Sequence, residues 1–149
     1  STLDRSSAAS DVYKRQLDTL SRNPNGFFLM IEGSNIDKAA HSNNLEEMME
    51  ELLDFDRTAG AVLDWASKHP GTLVVITADH NTGAFALTGG SREQGEITGR
   101  FGSGSHDGVA VPVYAFGAGS GDFTGIYENT DIFNKIMNAL KKGADKPVR

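Results

Sequence analysis

The 149-residue chain has no cysteine, which excludes disulfides and thiolate metal ligands and fits a reducing or an oxidising compartment equally well. Long apolar runs are missing too. No stretch approaches the roughly 20 consecutive apolar residues of a membrane span, and none at the N-terminus reads as a signal peptide. Basic residues are in deficit, 14 Lys and Arg against 20 Asp and Glu. A net charge of −6 offers no face for a phosphate backbone, so nucleic-acid binding by charge is not expected.

The length is that of one ordinary domain. Ser1 to Gln16 is polar and aperiodic, and from Ser6 onward it resembles translated adaptor sequence. We therefore expect residues 1–16 to be a disordered or non-native tail, and 143–149 a polar C-terminal tail. Phe27 to Ile31 runs apolar without alternation between Pro24-Asn25-Gly26 and Glu32-Gly33, which predicts a strand buried on both faces. Leu45, Met48, Met49, Leu52, Phe55, Ala59, Val62, Leu63 and Ala66 recur at three- and four-residue steps. That spacing predicts a long helix, with Asn43 or Asn44 as cap and Pro70-Gly71 as stop. Thr72 to Thr77 is a second expected strand and Val109 to Phe116 a third, weakened by Pro112. A last helix is expected from about Asn129 to Lys141, with Ile132, Phe133, Ile136, Met137 and Leu140 on one face. Strand, helix, strand suggests a right-handed crossover with the first two strands parallel.

Three of the four histidines stand near aspartates: Asp37 and His41 four residues apart, Asp79-His80, and His106-Asp107. On a helical turn Asp37 and His41 share one side. Imidazole and carboxylate donors without thiolates suit zinc, or zinc together with magnesium. Chemistry in open α/β sheets collects beyond the carboxyl ends of the strands, where Glu32, Asp37, Asp79 and His80 all fall. No local pattern carries His106 there. His69, before Pro70-Gly71, reads more simply as a cation against a helix C-terminus. Gly102-Ser103-Gly104-Ser105 lacks the strand, lysine and helix of a phosphate-binding loop.

Taken together, Glu32-Gly-x-x-Ile-Asp37-x-x-x-His41, then Thr77-Ala78-Asp79-His80, then Ser105-His106-Asp-Gly-x-x-Val-Pro112 and Tyr127-Glu128-Asn129-Thr130-Asp131 resemble the alkaline phosphatase family in order and composition. The resemblance covers about Leu17 to Lys142. It implies an α/β fold, a three-layer sandwich with a mainly parallel central sheet, of which residues 17–142 would be the C-terminal part. It also implies two zinc ions and one magnesium. Residues matching Asp37, His41 and His106 bind the first zinc, those matching Asp79 and His80 the second, and the one matching Glu32 binds magnesium. The implied reaction is hydrolysis of phosphate monoesters. A pair of metals about 4 Å apart can stabilise both the entering and the leaving oxygen of an in-line displacement.

The family's nucleophilic serine and phosphate-holding arginine have no counterpart here. The resemblance therefore places them upstream of this chain and leaves it inactive alone. By the same resemblance the full-length enzyme is a homodimer, exported to the periplasm or beyond. Asp107 is a departure, standing where the resemblance makes threonine or glycine more usual, and an extra carboxylate beside His106 is expected either to orient it or to perturb the zinc. Alternatives are a non-catalytic zinc-binding module, or a related sulfatase, phosphodiesterase or phosphomutase.

Overall fold

The computed structural model describes residues 12–144, and its contacts gather the chain into two compact units. Of the described residues, one comprises 12–31, 56–77 and 113–144, the other 32–55 and 78–112. The helix at 12–20 (α1) crosses the boundary expected at Gln16. The remainder of that expected tail, 1–11, lies outside the described residues, as does 145–149. No described helix is long and apolar enough to cross a membrane.

In the first unit the chain buries a small apolar cluster of Leu17, Trp65 and Ala66, with Phe27, Leu29, Val62 and Val74 packed against it. Phe27 meets the Trp65 indole edge-on at 6.2 Å between ring centroids. The apolar run from Phe27 to Ile31 is not hydrogen-bonded into a sheet. Its burial alternates: Phe27, Leu29 and Ile31 are half-buried, whereas Phe28 and Met30 are exposed. An unbroken apolar run hides this difference, because composition alone cannot say which face is covered. The strand expected at 72–77 forms as Leu73–Ile76 (β1). It pairs antiparallel with Tyr114–Gly117, which is all that forms of the strand expected at 109–116. Pro112, which has no N–H to give a ladder, lies just before it. The parallel crossover expected between the first two strands is thus absent among the described residues. Gly117, at φ 91°, lets this strand close on Thr72, whose carbonyl leaves no room for a Cβ. Beyond a short 3-10 turn, Ser120–Phe123, the last helix runs Asp131–Ala144 (α4). Ile132, Ile136 and Ala139 are half-buried on it, while Phe133, Met137 and Leu140 face outward.

The second unit holds α2, Ser34–His41, and the start of α3, Leu45–Ser67. A compact junction joins them. Asn43 adopts a left-handed φ of 52°, and the N–H groups of Asn43 and Asn44 return to the carbonyls of Ala40 and Ala39. This is a Schellman closure, with asparagine in the place usually held by glycine. Asn44 at once caps α3: its Oδ1 accepts the Glu47 N–H at 3.2 Å, and its amide donates to the Glu47 carboxylate at 3.0 Å. The expected cap and length of this helix therefore hold, although Leu52 is exposed.

Two short ladders complete the unit. Asn81–Thr82 (β2) pairs antiparallel with His106–Asp107 (β5), setting Thr82 opposite His106 and Asn81 opposite Asp107. Ala86–Ser91 (β3) and Glu96–Arg100 (β4) form a hairpin with an irregularity at Leu87/Gly89. The Tyr114–Gly117 strand is β6. Expectation from the sequence passes over both the β2–β5 ladder and the hairpin.

Candidate metal centre

Helix α2 ends in the residues that matter. Its four-residue spacing aligns Asp37 and His41 on one side, and Ala39 and Ala40 turn inward at 1% and 3% exposure. The small inward residues match a tight neighbour: Gly83, at φ 80°, lies where a Cβ would approach the Ala40 carbonyl at 3.1 Å. Gly83 in turn anchors the loop that delivers His106. Its carbonyl accepts the N–H groups of Gly102 and Ser103, and its N–H donates to Ser105. The β2–β5 ladder completes a placement that no local pattern predicts.

The result is a triangle of donors. His41 Nε2 and His106 Nε2 lie 3.0 Å apart, His41 Nε2 lies 3.5 Å from Asp37 Oδ2, and His106 Nε2 lies 3.7 Å from Asp37 Oδ1. All three ligand atoms fall within 4.8 Å of one another. In a tetrahedral shell with bonds of 2.0–2.1 Å, ligand atoms stand roughly 3.3 Å apart. The two imidazole nitrogens stand a little closer than that, and each lies slightly farther than that from a different oxygen of the Asp37 carboxylate, so the donor set suits a small nitrogen- and oxygen-binding cation such as zinc.

Hydrogen bonds fix which nitrogens carry protons. His41 Nδ1 faces the Gly104 carbonyl at 2.8 Å. A carbonyl only accepts, so Nδ1 bears the hydrogen and the neutral ring keeps its lone pair on Nε2, inside the triangle. Thr82 sets a second tautomer. Its hydroxyl donates to Asp37 Oδ1 at 2.6 Å and therefore accepts from His80 Nδ1 at 3.2 Å. His80 thus also holds its lone pair on Nε2. The Thr82 hydroxyl keeps the Asp37 carboxyl below the usual carboxylate range; desolvation opposes this, and the imidazoles of His41, His106 and His80 lower it further.

His80 lies flat against His106, ring centroids 3.5 Å apart. Its Nε2 is 3.3 Å from Asp79 Oδ2, and Asp79 Oδ1 accepts the His80 N–H. The sequence-predicted residues therefore fall into three sets. Asp37, His41 and His106 converge; Asp79 and His80 form an adjoining pair; Glu32 is exposed just ahead of α2 and stands outside the triangle. Thr82 escapes sequence reasoning, since a threonine two residues past a histidine has no signature of its own. Asp107 faces away from the cluster and accepts four N–H contacts, from Asn81, Ala84 and Val109. The Val109 backbone N–H does most to hold its carboxyl below the usual range, with Asn81 and Ala84 adding to it and desolvation opposing.

A family profile described as alkaline phosphatase matches residues 2–100. Alkaline phosphatase 4 of Bacillus subtilis is 29% identical, over 95% of this chain and 46% of its own length. The alkaline phosphatase of Escherichia coli is 30% identical, over 85% of this chain and 30% of its own. The chain spans less than half the length of these curated relatives. Among solved structures, the alkaline phosphatase of the Antarctic bacterium TAB5 superposes with a TM-score of 0.77 and 41% identity, covering 84% of this chain and 38% of that one. A variant of that enzyme, solved with Mg bound, matches at 0.76 and 39%, over 85% and 39% of the two chains. The mixed helix-and-strand arrangement is thus a partial α/β alkaline phosphatase fold, even though its described ladders are all antiparallel. The chain belongs to the alkaline phosphatase family.

Proposed function

We propose that this chain supplies the metal-binding part of an enzyme that hydrolyses phosphate monoesters. The convergence of Asp37, His41 and His106 within 4.8 Å carries the reading. These three would hold one zinc, Asp79 and His80 would contribute to a second, and Glu32 to a magnesium. Bound there, the ions would supply charge stabilisation to the entering and leaving oxygens of an in-line displacement. The chain's own part is to present ligands ready for use. Thr82 lowers the pKa of Asp37 by donating to it, the Gly104 carbonyl and Thr82 hold the His41 and His80 tautomers, and none of the three ligands needs to shuttle a proton. The side chains of Asp37, His41 and His106 are 40%, 39% and 50% exposed, which leaves the cluster open to a substrate.

Among the described residues no serine hydroxyl contacts the cluster's ligand atoms, and the chain alone is expected to take up zinc without turnover. The test has two arms. Zinc titration of the 149-residue chain should show one tight site, lost in Asp37→Ala. A chimera joining residues 17–142 to the nucleophile-bearing part of Bacillus subtilis alkaline phosphatase 4 should then release phosphate from an aryl phosphate, and a chelator should stop it. Chelator-insensitive release would sink the two-zinc reading. Tight zinc binding with an inactive chimera would favour a non-catalytic zinc module, a reading suggested by the completeness of the Asp37–His41–His106 triangle on its own.

A further inference from the structure

A ladder of two residue pairs has little cohesion of its own, yet β2–β5 carries one corner of the triangle. Side chains alternate across a strand, so His106 and Asp107 leave β5 on opposite faces. His106 faces Thr82 and the cluster, while Asp107 faces Asn81. The Asp107 carboxylate is fully engaged there. Oδ1 accepts from Asn81 Nδ2 at 3.1 Å and from Val109 N at 3.0 Å. Oδ2 accepts from Asn81 Nδ2 at 2.9 Å and from Ala84 N at 3.1 Å. One ionised group therefore ties β2, the turn that follows it and the exit from β5, through charge-assisted bonds stronger than neutral ones. The turn needs such a tie. Ala84 sits at φ 44°, a left-handed conformation that is unfavourable for a residue with a Cβ.

We propose that Asp107 is a positioning residue for His106: its carboxylate fastens the β2–β5 ladder from the face away from the cluster and so holds the His106 ring where a metal ligand must stand. No neutral side chain of similar size accepts from Asn81, Ala84 and Val109 together through two equivalent oxygens. The proposal rests on the metal-binding reading above, but its geometric half does not require a metal.

The experiment uses the 149-residue chain and two variants, Asp107→Ala and Asp107→Asn, with His106→Ala as reference. Without metal, NMR should show the His106 ring protons shifted by the stacked His80 ring. In Asp107→Ala those shifts should collapse toward free-histidine positions, and the Ala84 and Val109 amides should lose protection from exchange. Zinc affinity should fall about 10- to 100-fold in Asp107→Ala. Asp107→Asn, which keeps one acceptor oxygen in the same shape, should recover part of both losses. Trp65, the single tryptophan, belongs to the other unit, and its emission checks that unit, while the amide spectrum of residues 32–55 checks that the unit carrying Asp107 still folds. Retained ring shifts in Asp107→Ala would overturn the positioning role. If His106→Ala binds zinc as tightly as the parent chain, the metal reading falls instead, and the metal-free ring shifts still decide the role of Asp107.

Discussion

Two histidines of this chain are anchored alike and do different things. His69 stacks on the Trp65 indole at 3.7 Å between centroids, and its Nδ1 donates to the Trp65 carbonyl at 2.7 Å. His41 likewise spends its Nδ1 proton on a carbonyl, that of Gly104. Each also has an aspartate in its neighbourhood: Asp18 accepts the Trp65 indole N–H at 2.8 Å, and Asp37 stands 3.5 Å from His41. The difference lies in the second nitrogen. His41 Nε2 meets another imidazole and a carboxylate oxygen, whereas Asp18 is occupied by the indole. Anchoring one nitrogen to a carbonyl is therefore common to both, and convergence of the other with further donors is what a proposed metal centre requires and only His41 provides.

The comparison can be broken from its apolar side first. Trp65 is 7% exposed in the cluster with Leu17 and Ala66, and Trp65→Ala should destabilise the chain by about 3–5 kcal/mol in denaturant titration. His41→Ala, at a half-open position, should cost the metal-free chain far less. Zinc should reverse that ranking. His106→Ala or Asp37→Ala should weaken zinc binding by more than about 100-fold in competition with a chelator, because a direct ligand should matter more than its supporting partners. His69→Ala should leave zinc binding unchanged. Undiminished zinc affinity in His106→Ala would erase the distinction between the two histidines.

Thr82 sharpens the contrast, because nothing in the Trp65 cluster plays its part. Thr82→Val keeps the shape but removes the donor to Asp37 and the acceptor for His80. Zinc affinity should fall by about tenfold, with the midpoint of thermal unfolding little changed. A smaller effect is expected at His69. His69→Leu gives up the contact with the last carbonyls of α3, which should cost at most about 1 kcal/mol.

The smallest effect concerns Asp122. Lys142 Nζ donates to its carboxylate at 2.9 Å, and that bond, then the charges of Lys142 and Lys135, hold the carboxyl below its ordinary value of 3.8 against a small opposing desolvation. A carboxyl depressed by folding adds stability above its unfolded value and loses it as pH falls through the folded one. Lys142→Met should therefore slightly flatten the acid limb of the stability curve below about pH 4, and salt should mask the difference, as befits an exposed pair.

What could be read from the sequence was whatever repeats locally. The α3 stripe, its Asn44 cap, the Leu73–Ile76 strand and the Asp37/His41 spacing all follow from residues within a few positions of one another. The residues missed depend on remote partners. Two-residue ladders have no period, so the pairing of Thr82 with His106 leaves no trace in the string of letters; the sequence offers Asp107 as a carboxylate that orients His106 or perturbs its metal, but not the partners through which it acts. Phe27 to Ile31 fails for a related reason. Its five apolar residues cannot declare that only Phe27, Leu29 and Ile31 find cover.

The junction at Asn43 and Asn44 bears on how this chain can vary in length. With one residue closing α2 and the next opening α3, an insertion there would separate the two caps and release the direction of α2, with Asp37 and His41, from that of the helix that follows. The β3–β4 hairpin tip at 92–95 is exposed throughout and bears no such constraint. Gains and losses of residues should be accommodated at that tip, while the two asparagines keep a fixed count.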